Sequence, residues 1–256
     1  MKYKGIFTIF IALVFSIITV LTVFSVFKIK KVDVSYEAFE SGFNTVDGVD
    51  AELDQFVGKN LLFFDVDKVS DELKEYTRFE IVSIEKDFPN TLVVRIKERR
   101  ERFFVENLGK NYVVSSDGFV LEEVVNVPQG LIELKSNQTL SGNKFEFVSV
   151  KVGEYLQTTD SDALNATLEI VNTEGVSGIL TSVEVFSAFA TNHLIMDTAT
   201  EVNVEIVNFK NRGADKAQAL INQYANINDY LKANSKIYVT ESSETGEINT
   251  TWSQNG

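Results

Sequence analysis

The sequence predicts an α+β protein: an N-terminal transmembrane helix, a β-α-α-β-β unit, then a mixed α+β region with an extended, mainly antiparallel sheet. Three observations carry this reading. Ile6 to Phe27 is a run of twenty-two residues without one charge, about 33 Å as a helix against roughly 30 Å of bilayer hydrocarbon. Behind it the apolar spacing changes from strand-like to helical and back to strand-like before residue 100. Beyond that point alternating segments dominate, with three helical stripes among them.

The apolar run has a basic start at Lys2 and Lys4, as a secretory signal does, but it is longer than the roughly 7–15 apolar residues of such a signal. The residues after it, Phe24-Ser25-Val26-Phe27-Lys28-Ile29-Lys30-Lys31, contain no small-x-small cleavage site. A retained anchor over 6–27 is expected, with residues 1–5 as a short cytoplasmic head. Lysines flank both ends, so the positive-inside rule does not set the orientation. A small head and a large following part favour export of the latter.

After the anchor, Lys31 to Tyr36 alternates as a half-buried strand. Val49, Leu53, Phe56 and Val57 share a helical face that Gly58 ends. Val66, Val69, Leu73 and Tyr76 mark a second helix. Two strands follow, with Val82 and Ile84 on one face of the first and Leu92, Val94 and Ile96 on one face of the second. The turn between them is Phe88-Pro89-Asn90-Thr91. A boundary is expected near Glu98–Phe104. Tyr112 to Leu121 then reads as a hairpin around Asp117-Gly118, and Leu131 to Leu134 as a short strand. Phe147 to Leu156 and Ala163 to Val171 have helical spacing, the second capped by Ser161 or Asp162. Strands are expected near Thr181–Phe186, His193–Met196 and Val202–Val207. Ala217, Leu220, Ile221, Tyr224, Ile227 and Leu231 form one long helical stripe. Two last strands are Lys236 to Thr240 and Gly246 to Trp252.

Composition narrows the chemistry. All 37 acidic residues follow the apolar run, and five of the 24 basic residues precede or close it. The remainder, 19 basic against 37 acidic, carries a net charge of −18. So acidic a body argues against nucleic acid and against lying on anionic lipid. The chain has no cysteine, which excludes disulfides, thiolate metal sites and a cysteine nucleophile.

No catalytic, cofactor-binding or metal-binding constellation emerges. His193 is the one histidine and reads as a structural or surface residue, because a base needs a nucleophile and an orienting group beside it. Asp65, Asp67 and Asp71 fail the calcium-loop spacing, with Val69 where a ligand is required. They suit a helix N-terminus instead. Glu98-Arg99-Arg100-Glu101-Arg102 reads as a solvated junction. Asn137, Asn165 and Asn249 open N-x-T sequons of the kind an Asn- and Thr-rich chain produces by chance.

Several motifs, taken in order, resemble the FtsQ/DivIB family of bacterial cell-division proteins. Gly58-Lys59-Asn60-Leu61-Leu62-Phe63 is similar to that family's G-x-N-L-F connector. Phe88-Pro89-Asn90-Thr91-Leu92 resembles its aromatic-Pro-Asn turn, and Ile96-Lys97-Glu98-Arg99 the Glu-Arg that closes its first domain. Tyr112 to Val120 resembles its hairpin, and Gly246 to Trp252 its last strand. The chain departs from the family pattern at Tyr36 to Glu40 and after Arg99, and residues 126–178 agree in pattern only. The resemblance implies a POTRA domain over 29–99 and the family's β-domain over 100–256. It implies a single-pass protein of the cytoplasmic membrane, N-terminus inside and large domain outside, enriched at the division septum. It further implies a non-enzymatic scaffold, without cofactor, that binds FtsB/DivIC-like and FtsL-like bitopic membrane proteins and links them to septal peptidoglycan synthases. A membrane-anchored cell-wall enzyme or regulator with an unrecognised site is the alternative. A translocation-system component is disfavoured by the single β-α-α-β-β unit.

The resemblance also directs attention to the C-terminus. Gly246, Glu247, Ile248, Asn249, Thr250, Thr251 and Trp252 are expected to form an edge strand that binds the partner, with Tyr238 on the preceding strand supporting Ile248 and Trp252. An edge offers main-chain donors and acceptors, and Trp252, the only tryptophan, is of the residue type that most often anchors interfaces.

Overall fold

The computed structural model describes residues 2–37, 49–136, 145–188 and 191–254. The chain falls into two compact units, Met1–Glu98 and Arg99–Gly256.

Helix α1, Lys2–Val26, begins the first unit. Its stretch Phe7–Val26 is long and apolar enough to cross a membrane. Thr19 and Thr22 do not interrupt it, because their hydroxyls donate to the carbonyls of Phe15 and Ile18 at 2.9 and 2.8 Å. Strand β1 (Lys31–Glu37), helices α2 (Val49–Asp54) and α3 (Asp67–Glu72), and strands β2 (Phe79–Asp87) and β3 (Thr91–Glu98) follow. A 3-10 turn, Leu73–Glu75, extends α3. The sheet order is β1-β3-β2, with β1 parallel and β2 antiparallel to β3. The central strand buries Leu92, Val94 and Ile96 completely against Val49, Leu53, Phe56, Leu61, Val69 and Leu73.

Val82 is a correction. It was expected inside and is exposed. The β2–β3 register shifts between Ile81 and Ser83, so Ile81 faces Ile96 and Ile84 faces Val94. The extra residue is a β-bulge that moves the apolar face off strict alternation. Both helices are also shorter than their stripes: Phe56 is buried from the turn after α2, and Val57 is exposed.

The second unit is built on a nine-stranded sheet. Its strands are β4 (Glu101–Asn107), β5 (Lys110–Ser115), β6 (Val120–Val124), β7 (Ile132–Lys135), β10 (Leu180–Ala188), β11 (Thr191–Thr198), β12 (Asn203–Val207), β13 (Ser235–Glu241) and β14 (Ile248–Gln254). Strands β8 (Phe147–Ser149) and β9 (Gln157–Thr158) pair with each other. The large sheet runs β14-β13-β12-β11-β10-β7-β4-β5-β6. Five of its eight pairings are antiparallel; β4–β7, β7–β10 and β12–β13 are parallel. Helix α4 (Ser161–Asn172) lies between β7 and β10 in the chain, and α5 (Gly213–Asn226) between β12 and β13. Both contribute to one core with Phe103, Val183, Leu194, Ile206 and Ile237. The two helices approach so closely at Gly213 that a Cβ there would stand 3.1 Å from Ile170 Cγ1.

Here too the structure corrects the sequence reading. Phe147 to Leu156 is not a helix. Gly153 has φ +85°, and the segment gives its backbone to the β5–β6 hairpin: Val120 N–H donates to Glu154 O, Gly153 N–H to Val120 O and Leu156 N–H to Gly118 O, each at 2.9 Å. Helix α4 is capped by Asp160, whose Oδ1 accepts from Ala163 N–H at 2.9 Å, rather than by Ser161 or Asp162. The long stripe ending at Leu231 is broken at Ile227, which is extended. Leu231 belongs to a separate short helix, α6, Asp229–Lys232.

Candidate functional site

Strand β14 ends the large sheet. Its neighbour β13 is held from both sides and buries Ile237 and Val239 completely. In the antiparallel register Ile237 faces Trp252, Val239 faces Thr250 and Glu241 faces Ile248. Directly opposed residues point to the same side of a sheet. Ile248, Thr250 and Trp252 therefore share the helix-covered face: Ile248 packs on the core, and Thr250 Oγ1 hydrogen-bonds Gln223 Oε1 on α5 at 3.1 Å. Trp252 is 40% exposed and outside that core.

Tyr238 does not support these residues. It faces Thr251, on the opposite side of the sheet, because it is one residue out of phase with Ile237 and Val239. Its ring lies under Lys236 Nζ at 4.4 Å. Gly246 and Glu247 also fall outside the strand, which starts at Ile248. They close the turn: Gly246 takes φ +69°, its N–H donates to Ser242 O, and Ser242 N–H donates to Glu247 O, both at 2.9 Å.

That last bond sets the phase of the ladder. In an antiparallel pair, hydrogen-bonded and non-hydrogen-bonded residue pairs alternate. Counting from Ser242–Glu247 along an unshifted register, Asn249, Thr251 and Ser253 bond inward to β13. The N–H and C=O groups of Ile248, Thr250, Trp252 and Gln254 point outward. Among the described residues no strand pairs with that side.

The hairpin is locked to the start of α5 by residues the sequence did not mark. Arg212 has φ +54°; its Nη1 donates to Gly246 O at 2.6 Å and its Nε to Asp215 Oδ2 at 2.9 Å. Lys216 is fully buried, donates to Asn208 O at 2.9 Å and sits 3.3 Å from Glu241 Oε2. A lysine one residue before the apolar stripe of α5 was the only sequence signal. On the other side of the sheet, Glu205 accepts from Lys236 at 2.9 Å and meets His193 Nδ1 at 2.7 Å. Burial pushes the Glu205 carboxyl up, but the hydrogen bonds from Lys236 and His193 outweigh it and hold the carboxyl below its usual range. His193 Nε2 lies 2.8 Å from Thr191 Oγ1.

Among the described residues the two larger sheets have four edges that compete as interaction surfaces, and composition separates them. Natural proteins blunt edge strands with charge, proline, bulges or covering loops. Strand β1 carries Lys31, Asp33 and Glu37. Strand β2 carries four charges and a bulge. Strand β6 carries Glu122 and Glu123 and is covered at its start by residues 153–156. Strand β14, Ile-Asn-Thr-Thr-Trp-Ser-Gln, has none of these devices over seven residues.

Other candidate residues fall elsewhere. Asp65 Oδ1 accepts from Asp67 N–H at 3.2 Å, a local turn at the start of α3, and Asp71 pairs with Lys74. Glu52, Asp71, Glu72, Glu75 and Tyr76 line an open cleft of about 290 Å³, and among the described residues no group of acidic or histidine side chains is placed to hold a metal ion. The basic run is not simply solvated: the Arg99 guanidinium lies 3.9 Å over the Phe119 ring and pairs with Asp117, its side chain 8% exposed. Asn137 lies outside the described residues.

Residues 47–99 match the family described as POTRA domain, FtsQ-type. The cell division protein DivIB of Clostridium acetobutylicum is 31% identical over 71 residues, which are 27% of this chain and 28% of that protein. The match thus spans little more than a quarter of that relative's length. A solved structure of the major extracytoplasmic domain of DivIB from Geobacillus stearothermophilus is similar over 51% of this chain and 98% of its own, at 16% identity and a TM-score of 0.31.

Proposed function

We propose that this chain, which belongs to the FtsQ/DivIB family of bacterial cell-division proteins, is a non-enzymatic divisome scaffold that captures a bitopic partner on strand β14. The observation that carries the reading is the undefended edge. Seven residues without charge, proline or bulge are a liability in a protein that gains nothing from pairing. A partner strand added there would take main-chain hydrogen bonds from the outward groups of Ile248, Thr250, Trp252 and Gln254, and side-chain selectivity from alternate positions. Trp252 is the exposed anchor; Gly246 and Glu247 place the strand from the turn, and Asn249 and Thr251 hold it to β13. Tyr238 lies on the reverse face, where it would contact only a partner that wraps around the edge.

The partner class suggested by the resemblance is the extramembrane part of FtsB/DivIC-like and FtsL-like single-span proteins. Through them the chain would be coupled to septal peptidoglycan synthesis. The apolar helix α1 supports a single-pass anchor; residues 29–256 would then lie outside the cytoplasmic membrane, at the septum. Protease added to intact spheroplasts should then digest the large part, and protection until lysis would refute that topology.

The decisive experiment titrates FtsB/DivIC-like and FtsL-like peptides against the wild-type chain and Trp252→Ala. Truncating an interface tryptophan commonly costs about 2 kcal/mol or more, roughly thirtyfold in affinity. Trp252 is the chain's only tryptophan, so its emission reports binding in the wild type directly. Unchanged affinity in a folded Trp252→Ala variant would return β14 to an ordinary edge strand.

A further inference from the structure

The end of α1 does not pass into a free linker. Phe27 O accepts from Leu61 N–H at 2.6 Å, Ile29 N–H donates to Lys59 O and Gly58 N–H to Ile29 O at 2.8 Å, and Lys30 N–H donates to Asn90 O at 2.9 Å. Asn60 Nδ2 reaches back to Val23 O at 3.3 Å, a second bond to a carbonyl in the last turn that already accepts from Phe27 N–H at 3.2 Å. The α2–α3 connector and the β2–β3 turn are thus stitched to the exit of the apolar helix.

Two rings extend that helix sideways. The Phe63 ring lies 6.0 Å from that of Phe24, and the Phe88 ring 5.8 Å from that of Phe27. Phe63 is 68% exposed and Phe88 51%, with Leu62 exposed beside them. Phe24 is two residues before the end of the apolar stretch, about 3 Å along the helix axis. A ring packed on Phe24 shares its depth. Exposed Lys28 and Lys59 flank the same connector, as cations do that keep their stems apolar and their heads at the headgroup level.

We infer that Leu62, Phe63 and Phe88 form a lipid-docking tip, inserted in the bilayer leaflet through which α1 leaves, so that the β-α-α-β-β part of the first unit rests on the membrane surface. The inference depends on α1 spanning a bilayer, part of the reading above. The occupant is lipid because the tip is continuous with a lipid-facing helix and its exposed residues are apolar.

The test uses the full chain in phosphatidylcholine vesicles, in a Trp252→Phe background, with one tryptophan introduced at a time. Phe63→Trp and Phe88→Trp report the tip. Phe15→Trp reports the middle of α1. Val82→Trp, at an exposed position of β2 and about 20 Å along the chain from Phe88, reports the part of the first unit away from lipid. Blue-shifted emission from both tip variants, quenched most by lipids brominated near the carbonyl end of the acyl chain, with Val82→Trp emitting as in water, supports the inference. Water-like, unquenched emission from both tip variants while Phe15→Trp is quenched by deep bromines overturns the docking tip and leaves the span standing. An unquenched Phe15→Trp overturns the span, and the tip with it.

Discussion

Lys216 Nζ lies 3.3 Å from Glu241 Oε2, and the lysine is fully buried. The pair joins the first turn of α5 to the last residue of β13, directly before the turn that leads into β14. Breaking a buried pair leaves a charge without compensation. Glu241 keeps part of its support, since Arg212 stands 3.6 Å away. Lys216→Met, which keeps the stem's volume, should therefore destabilise the second unit by about 2 kcal/mol. Denaturant unfolding measures this, and limited proteolysis should show cleavage at residues 242–247 appearing first. A variant as stable as wild type would mean that Arg212 alone holds the turn.

Arg99 tests whether the segment after β3 is part of the second unit's structure. Its guanidinium stacks on Phe119 at 3.9 Å, faces Tyr155 at 5.5 Å and pairs with Asp117. Stacking and forked hydrogen bonding need a planar group, which lysine lacks. Arg99→Lys should lose about 1 kcal/mol and Arg99→Ala more, with the loss confined to the second unit. Equal stability of Arg99→Lys and wild type would reduce the contact to simple charge pairing.

Asp160 caps α4 and accepts from Lys210 Nζ as well as Ala163 N–H. Burial pushes its carboxyl up, but the hydrogen bond from Lys210 and the backbone N–H groups outweigh this and hold it below its usual range. A carboxyl that is more acidic folded than unfolded stabilises the fold above its unfolded pKa, about 3.9 for aspartate. That contribution disappears as pH falls through the lower folded value. Stability measured down from neutral pH should thus fall in the acid range. Asp160→Asn, which still caps but cannot ionise, should show a shallower fall. Identical profiles would assign the acid loss to other carboxylates.

The periodicity of the sequence located the strands and helices that pack in the simplest way, such as Leu92, Val94 and Ile96 in β3. It failed where one residue is spent on geometry. Val82 sits in a bulge, so its neighbours Ile81 and Ile84, three apart, share the inner side. Phe147 to Leu156 has helical spacing, but its hydrogen bonds go to the β5–β6 hairpin, a tertiary contact that no local pattern encodes. The candidate edge was legible in its position and composition. Its phase was not: that Tyr238 faces away from Trp252 follows from the pairing of Ile237 with Trp252, and pairing register is a long-range property. The lock by Arg212 and Lys216 was hidden for the same reason.

The phase of β14 makes proline substitution an asymmetric probe of its two sides. Proline removes one N–H, and the effect depends on where that N–H points. Position in an edge strand alone makes Asn249 and Thr250 equivalent sites for proline. The structure separates them. Asn249 N–H points to β13, opposite Thr240, whereas Thr250 N–H points outward, opposite Val239. Asn249→Pro should remove a ladder bond next to the turn and destabilise the hairpin, by about 1–3 kcal/mol including the donor left unmet on its partner. Thr250→Pro should keep the β13–β14 ladder and lose only the side-chain bond to Gln223 within the fold. It should nevertheless weaken a strand-adding partner, because it deletes an outward donor and bends the edge. The measurement pairs unfolding curves with peptide titrations for both variants, using the FtsB/DivIC-like and FtsL-like segments. The expected pattern is a stable Thr250→Pro that binds poorly beside an Asn249→Pro that is itself unstable. A folded Thr250→Pro that binds as wild type would exclude main-chain pairing on this edge. A Thr250→Pro that is unstable beside a stable Asn249→Pro would show that the ladder has the opposite phase.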